Sequence, residues 1–406
     1  MRVLHIGKFY APFAGGIENF MRDLLPALQT QGVDTAAIVH DHQFGRRRTH
    51  ENNKIPTIFR VPTYGNLLYA PVSPEFPLAL NQVIRTYKPD ILHMHMPNTS
   101  VFWAEVLPCA RHIPWVIHWH SDVVFSDIDR RIGIAYRLYR PFEQYLLKKA
   151  ALIVATSPPY LATSSPLSAW HDKCGVVPLG LDASRLKAPD SNLNNWAKQV
   201  WRRGKTRILS IGRLTYYKGH EVLIRAAAHM PDMHVLIIGQ GEREKYLKHM
   251  VAKLGLGDRV TLRGFMPESK LQALLATCDC LCLPSIERTE AFGLVILEAM
   301  RYAKPVVAGN VAGSGMGWVV QDKQTGLLVQ PGDPEDLAHA LLVLAKSPDL
   351  RRRMAHAAVE RFNAVFHIDR VAKEIAVMYQ DTLLRNESIN KAPASPIGPL
   401  ITYLFS

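Results

Sequence analysis

Two glutamates eight positions apart carry the first chemical signal in this chain. In ERTEAFGLVILEAM (287–300), Glu290 precedes an apolar helical pattern and Glu298 lies inside it. Desolvating an unpaired carboxylate costs on the order of several kcal/mol, so Glu298 requires a partner. Ligand hydroxyls would serve, and so would a protein cation such as Arg213. A carboxylate accepts paired hydrogen bonds from a vicinal diol. Eight residues of helix would set the two carboxylates about 12 Å apart along the axis. With Glu290 in a loop that distance is open, but the span suits the two ends of a nucleotide-sugar, with Glu298 on the ribose and Glu290 on the sugar. Between them, the backbone N–H groups of Phe292, Gly293 and Leu294 fall at a helix N-terminus, where a diphosphate is stabilised.

Cations stand where such a ligand needs them. In SIGRLTYYKGHEVLI (210–224), Arg213 and Lys218 flank a strand-to-helix loop, the place where open α/β sheets bind ligands. Arginine offers a planar fork to phosphate and lysine a point charge; solvated surface cations are the plain alternative. A second glycine-bearing loop, KFYAPFAGGIENFMRDLL (8–25), places Gly15 and Gly16 before an amphipathic helix. Paired glycines let a ligand approach the backbone, although a GG turn alone is as readily structural. G-x-G-x-x-G is absent, which disfavours a nicotinamide cofactor. Cys278, Cys280 and Cys282 fall at i, i+2, i+4 and would share one face of a strand, reading as buried thiols and not as zinc ligands.

These residues need a scaffold, and the pattern supplies one. Short apolar segments alternate with helical patterns, as in a parallel sheet flanked by helices. Candidate strands in the first half are 2–7, 35–40, 57–62, 90–95, 115–120 and 151–157; a polar, basic stretch at 186–206 reads as a linker. Strands resume at 207–213, 234–239, 259–264, 280–284, 305–309 and 326–330. The chain therefore reads as α/β with two Rossmann-like domains, at 1–185 and 207–365. A helix follows at 366–386, then a Pro-rich and apolar tail at 387–406 with terminal disorder as its default.

The combination of Gly212-Arg213…Lys218-Gly219, IIGQGE (237–242), E-A-F-G-x-x-x-x-E-A (290–299) and TGLLV (325–329) resembles the retaining GT-B glycosyltransferases of family 4. The two glutamates match that family's E-x7-E motif. The resemblance implies two Rossmann-like domains facing across a cleft, donor bound mainly by the second, and a last helix crossing back onto the first. It implies that Arg213 and Lys218 neutralise the donor diphosphate, Glu298 holds the ribose, Glu290 contacts the sugar, and Gly15, Gly16 and Gly239 line the donor site. His120, in VIHWHSDVV, matches the family's active-site histidine and is preferred to His118, which lies deeper on the same face. Asp182, in PLGLD, matches a family turn in which Leu179 replaces the common asparagine; it reads as structural or interdomain. Transfer would proceed with retention, the donor phosphate itself acting as base, with no cofactor or metal required.

Composition narrows the partners. The chain has 406 residues and a formal charge of +13, with no apolar run long enough to span a bilayer and no signal-peptide pattern at MRVLHIGKFY. That reads as a cytoplasmic protein with an anionic partner. No zinc-finger or RRM spacing supports nucleic acid. The basic, aromatic stretch 130–150 suits the inner membrane face, and a saccharide or lipid-diphosphate-linked acceptor follows. The expected reaction is hexose transfer, mannose first, in cell-surface polysaccharide or lipopolysaccharide synthesis. A nucleotide-sugar epimerase and a non-catalytic nucleotide-sugar-binding protein are the rival readings.

Overall fold

A computed structural model of the protein describes residues 1–44, 49–50, 56–67, 70–123, 130–202 and 205–391. The apolar runs become buried parallel strands in two sheets of eight and six. In the first sheet Arg2–Ile6 is central. Asp34–His40 and Thr57–Val61 lie on one side; Ile91–Met96, Trp115–Trp119, Leu152–Ala155 and Cys174–Val176 lie on the other. One short strand, Thr49–His50, runs antiparallel at the edge. In the second sheet, counting from Thr206–Ile211, the strands take the order 3-2-1-4-5-6, all parallel. This is the Rossmann order, which leaves a ligand crevice at the carboxyl ends of the strands.

The first sheet is covered on one face by the helix Gly16–Thr30 and by the long last helix, Ile368–Lys391. The last helix therefore crosses back onto the first domain. Its Val371, Ile375 and Tyr379 join a core with Phe20, Leu24 and Leu28 of the first helix. Among the described residues, no helix is long and apolar enough to cross a membrane.

Four departures from the sequence reading have local causes. Residues 191–200, inside the expected linker, form a helix because Asp190 caps it, accepting the Leu193 N–H at 2.7 Å. That helix packs on Glu268–Thr277 of the second domain. Cys278 closes the latter helix and faces a different core cluster from Cys280 and Cys282, because the strand begins only at Cys280. All three thiols are buried and free. The antiparallel pair Asn66–Leu67 and Ala70–Pro71 and the strand Cys174–Val176 had no apolar alternation to announce them. The tail beyond residue 391 lies outside the described residues.

Candidate functional site

The carboxyl edges of the two sheets face one another, and the chemistry collects there. In the second domain, the strand Thr206–Ile211 ends and Arg213 follows. A tight turn at Tyr216–Lys218 then leads into Gly219, whose φ of 67° opens the next helix. Only glycine fits that position, since a Cβ would stand 1.9 Å from the Pro284 carbonyl oxygen. This close approach brings the 216–218 turn against the 284–293 loop. The Lys218 ammonium donates to the Glu290 carboxylate, which also accepts from Ser285 Oγ at 3.4 Å. Arg213 donates to the Tyr217 hydroxyl at 2.9 Å.

Glu290 is indeed in the loop, one residue turn ahead of Gly293, whose left-handed backbone starts the helix Leu294–Arg301. Phe292 contributes only its backbone to the cleft, for its ring is buried edge-on to Phe366. Gly239 plays a supporting part: a Cβ there would lie 1.9 Å from the Gly212 oxygen, so glycine lets two strand ends close together behind Arg213.

Glu298 lies at the other end of the same helix. Among the described residues, no side chain hydrogen-bonds or ion-pairs with its carboxylate within 4 Å, so the Arg213 salt bridge weighed as the alternative is not made. Its side chain is half-buried. Enclosure by the walls pushes its pKa up to about 7, against a downward pull from Arg185. Arg185 itself bridges the domains: it donates to Asp23 at 3.0 Å and to Glu268, which also takes Arg22 at 3.1 Å. Asp182 donates its N–H to Asp23 and accepts from Ser184 N–H at 2.8 Å, contacts within the first domain that give it a structural placement.

The first domain supplies the facing wall. Gly16 has open space where a Cβ would project, whereas Gly15 is overlain by the Glu18 carboxylate, which folds back onto the helix start. Burial raises the Glu18 pKa, opposed by its own N–H, Lys8 and Arg213; burial also lowers that of Lys8, with Arg213 adding repulsion. Lys8 and Glu18 thus lie within electrostatic reach of Arg213 across the cleft. Three cations and two carboxylates converge there, and the sequence reading had singled out neither Lys8 nor Glu18. The available signal for Lys8 was its position two residues past the first strand.

His120 follows the strand Trp115–Trp119 and donates its N–H to the Met96 carbonyl at 3.1 Å. Its ring belongs to a buried layer with His5, His93, His95 and His118 on the face covered by Phe20 and Tyr379. Burial holds all five pKa values below the ordinary range, to about 3 for His5 and His118, so the layer is neutral at physiological pH. Nitrogens of His95, His118 and His120 fall within 4.8 Å of one another. His95 and His120, however, meet at 2.9 Å as a hydrogen-bonded pair, closer than the roughly 3.3 Å that two ligands of a tetrahedral ion at about 2.0 Å require.

Two further residues missed in the sequence lock the domains beside His120. Arg288, in the 284–293 loop, pairs with Asp122 at 2.9 Å and lies 4.2 Å over the Tyr160 ring. Asp122 in turn accepts from Trp119 Nε1 at 2.8 Å and Ser164 Oγ at 2.7 Å.

Comparisons with known proteins identify the family. Residues 15–180 match the glycosyl transferase 4-like domain, and residues 193–361 match glycosyl transferases group 1. The O-antigen chain mannosyltransferase C of Escherichia coli is 28% identical over 96% of this chain and 100% of its own length. D-rhamnosyltransferase WbpZ of Pseudomonas aeruginosa is 28% identical over 90% and 92%. The crystal structure of Anabaena Alr3699/HepE in complex with UDP-glucose superposes with a TM-score of 0.73 at 22% identity, covering 94% of this chain and 100% of that one. The chain belongs to the group 1, GT4-like glycosyltransferases, retaining hexosyltransferases of the GT-B fold, and is related to those of O-antigen and lipopolysaccharide synthesis.

Proposed function

We propose that this enzyme transfers mannose from a nucleoside-diphosphate donor to a hydroxyl of a lipid-linked saccharide during surface polysaccharide or lipopolysaccharide assembly. The observation that carries the reading is the convergence of Arg213, the Lys218–Glu290 pair and Lys8 on one cleft beside an open Gly16. As the glycosidic bond breaks, negative charge develops on the departing diphosphate. Preorganised cations and helix-start amides stabilise it without reorganisation. Arg213 and Lys218 would take the diphosphate with the amides at 292–294, Glu298 the ribose, and Glu290 the sugar once Lys218 turns to phosphate. The donor phosphate would accept the proton of the incoming hydroxyl on the same face, and His120 would hydrogen-bond the sugar. Closure of the domains around the donor would limit its hydrolysis.

Mannose follows from the similarity to the O-antigen mannosyltransferase, and a lipid-borne acceptor from the first domain's surface. The helix Arg130–Lys149 exposes Leu138, Phe142 and Tyr145 at i, i+4 and i+7, with Arg137, Arg140 and Lys148 exposed beside them. Such a face suits shallow contact with anionic lipid; the side chains at 130–132 and 134 lie outside the described residues.

A panel of GDP-, UDP- and ADP-sugars tests the reading. A bound donor should raise the melting temperature, and GDP-mannose should then yield a retained glycosidic product on a lipid-linked acceptor. Stabilisation by no nucleotide-sugar, or donor binding without product on any acceptor, would remove it. Turnover should survive a chelator, since side-chain cations hold the phosphates. Asp127-Ile128-Asp129, a D-x-D outside the described residues, makes that control informative.

A further inference from the structure

The buried histidine layer has an internal geometry that the proposed reaction does not require and does not explain. His120 Nε2 meets His95 Nδ1 at 2.9 Å, and His95 Nε2 meets His5 Nδ1 at 3.0 Å. Ring centroids 5.2 and 5.3 Å apart, with interplanar angles of 18° and 24°, put the three imidazoles edge to edge and nearly coplanar. The result is a ribbon running from the cleft wall inward across three strands. A second ribbon lies against it. His118 and His93 meet at 3.2 Å, His93 pairs with the Tyr379 hydroxyl of the crossover helix, and the ribbons stack at 4.4–4.7 Å. Two atoms at the ends of the first ribbon, His120 Nδ1 and His5 Nε2, are buried without a partner among the described residues.

A neutral imidazole has one donor nitrogen and one acceptor nitrogen. Three such rings joined in line must all point the same way, so the state of the inner end dictates the state of the outer one. Buried donors without partners are rarer than buried acceptors without partners. Both end atoms are enclosed, but His120 follows the strand end and keeps 5% of its surface, whereas His5 keeps none. The donor therefore belongs at the His120 end, and His5 Nε2 is left bare. His5 Nδ1–H then donates to His95, and His95 Nδ1–H donates to His120 Nε2.

We propose that His95 and His5 are positioning residues that lock His120 in its Nδ1–H tautomer, leaving that N–H as the ring's donor to an oxygen of the bound sugar. The inference rests on the reading of His120 as a sugar-contacting residue. His120 then cannot accept the acceptor hydroxyl's proton at Nδ1, which leaves that task to the donor phosphate. Its role is to donate.

Ring 15N spectra of the full-length, histidine-labelled, ligand-free protein test the lock directly, with His120 assigned by its loss in His120→Gln. Wild type should show a single Nδ1–H tautomer for His120. His95→Leu should convert it to a tautomer mixture and lower kcat about tenfold with donor KM within about twofold, as loss of one oriented hydrogen bond predicts. His95→Asn, whose amide N–H can replace Nδ1–H, should restore both. His118→Leu removes a ring equally buried on the same face but bonded to His93, and should leave the His120 tautomer unchanged. An Nε2–H tautomer in wild type, an unaltered one in His95→Leu, or an Asn variant as impaired as the Leu variant would overturn the proposal. The spectra are read without substrate. A locked tautomer in a protein that transfers no sugar would therefore count against the proposed reaction and not against the lock.

Discussion

At the scale of single residues, the cleft depends on charges that partly satisfy one another before a ligand arrives. Lys218 is paired with Glu290, while Arg213 has a neutral phenol as its hydrogen-bond partner. Arg213 is thus the cation most available for diphosphate, and Arg213→Ala should lower transfer about 10²–10³-fold, the size of loss typical of a preorganised charge-stabilising donor. The melting temperature should remain close to wild type; turnover within twofold of wild type would exclude Arg213 from the site. Glu298 gives a pH signature. Its carboxyl is pushed up to about 7 by enclosure, with Arg185 opposing, and ribose hydroxyls prefer its ionised form. Donor binding should therefore release a proton, and affinity should rise with pH through about 7 and level above it. Calorimetry in two buffers of different ionisation heat measures that proton. Glu298→Gln should abolish the release and flatten the profile; an equal release in the variant would return Glu298 to a structural role.

At the scale of elements, one loop joins the two halves of the site. Residues 284–293 present Glu290 to Lys218 and, through Arg288, reach Asp122 directly after the His120 strand. Arg288→Ala should slow the step that assembles the site. We expect kcat to fall about tenfold with donor KM within about twofold, because the donor is held mainly by the other domain. Unchanged kcat in steady-state kinetics would show that this contact does not contribute to closure. Arg288 also marks where sequence reading stops. Glu290, Glu298, Arg213 and Lys218 were legible because each sits at a fixed offset from a strand end or a helix start. Parallel sheets bury both faces of their strands, so twelve apolar runs registered clearly. Arg288 and Asp122 are 166 positions apart (288 − 122), and only the packing of two domains makes them partners. The Asp23–Arg185–Glu268 cluster was hidden for the same reason. The helix Ser191–Val200 was obscured by its polar composition, and was indicated only by Asp190 at its cap.

At the scale of the whole molecule, the first domain is built around groups that resist protonation, which fixes how the fold responds to acid. Burial lowers the pKa of His5, His40, His93, His95, His118, His120, His220 and His234. Unfolded, each titrates near 6.5. Below that pH the unfolded chain binds protons that the folded one refuses, so the stability these groups confer is complete above pH 6.5 and lost as pH falls. Each such proton contributes a slope of about 1.4 kcal/mol per pH unit. Four carboxyls act in the opposite sense. Glu18, Glu105, Glu143 and Glu298 are raised by burial, so the folded state takes up their protons first and gains stability as pH falls. Eight histidines against four carboxyls leave the unfolded chain with the excess. The melting temperature should therefore drop between pH 7 and 5, more steeply than in a variant carrying His93→Gln and His118→Gln. Six of the eight histidines lie in the first domain, and Tyr379 fastens the crossover helix to His93. Hydrogen exchange at pH 5 should then show 16–30 and 368–388 losing protection together, ahead of the second sheet. A flat melting temperature across that range, or earlier opening of the second domain, would mean that the histidine layer does not govern acid stability.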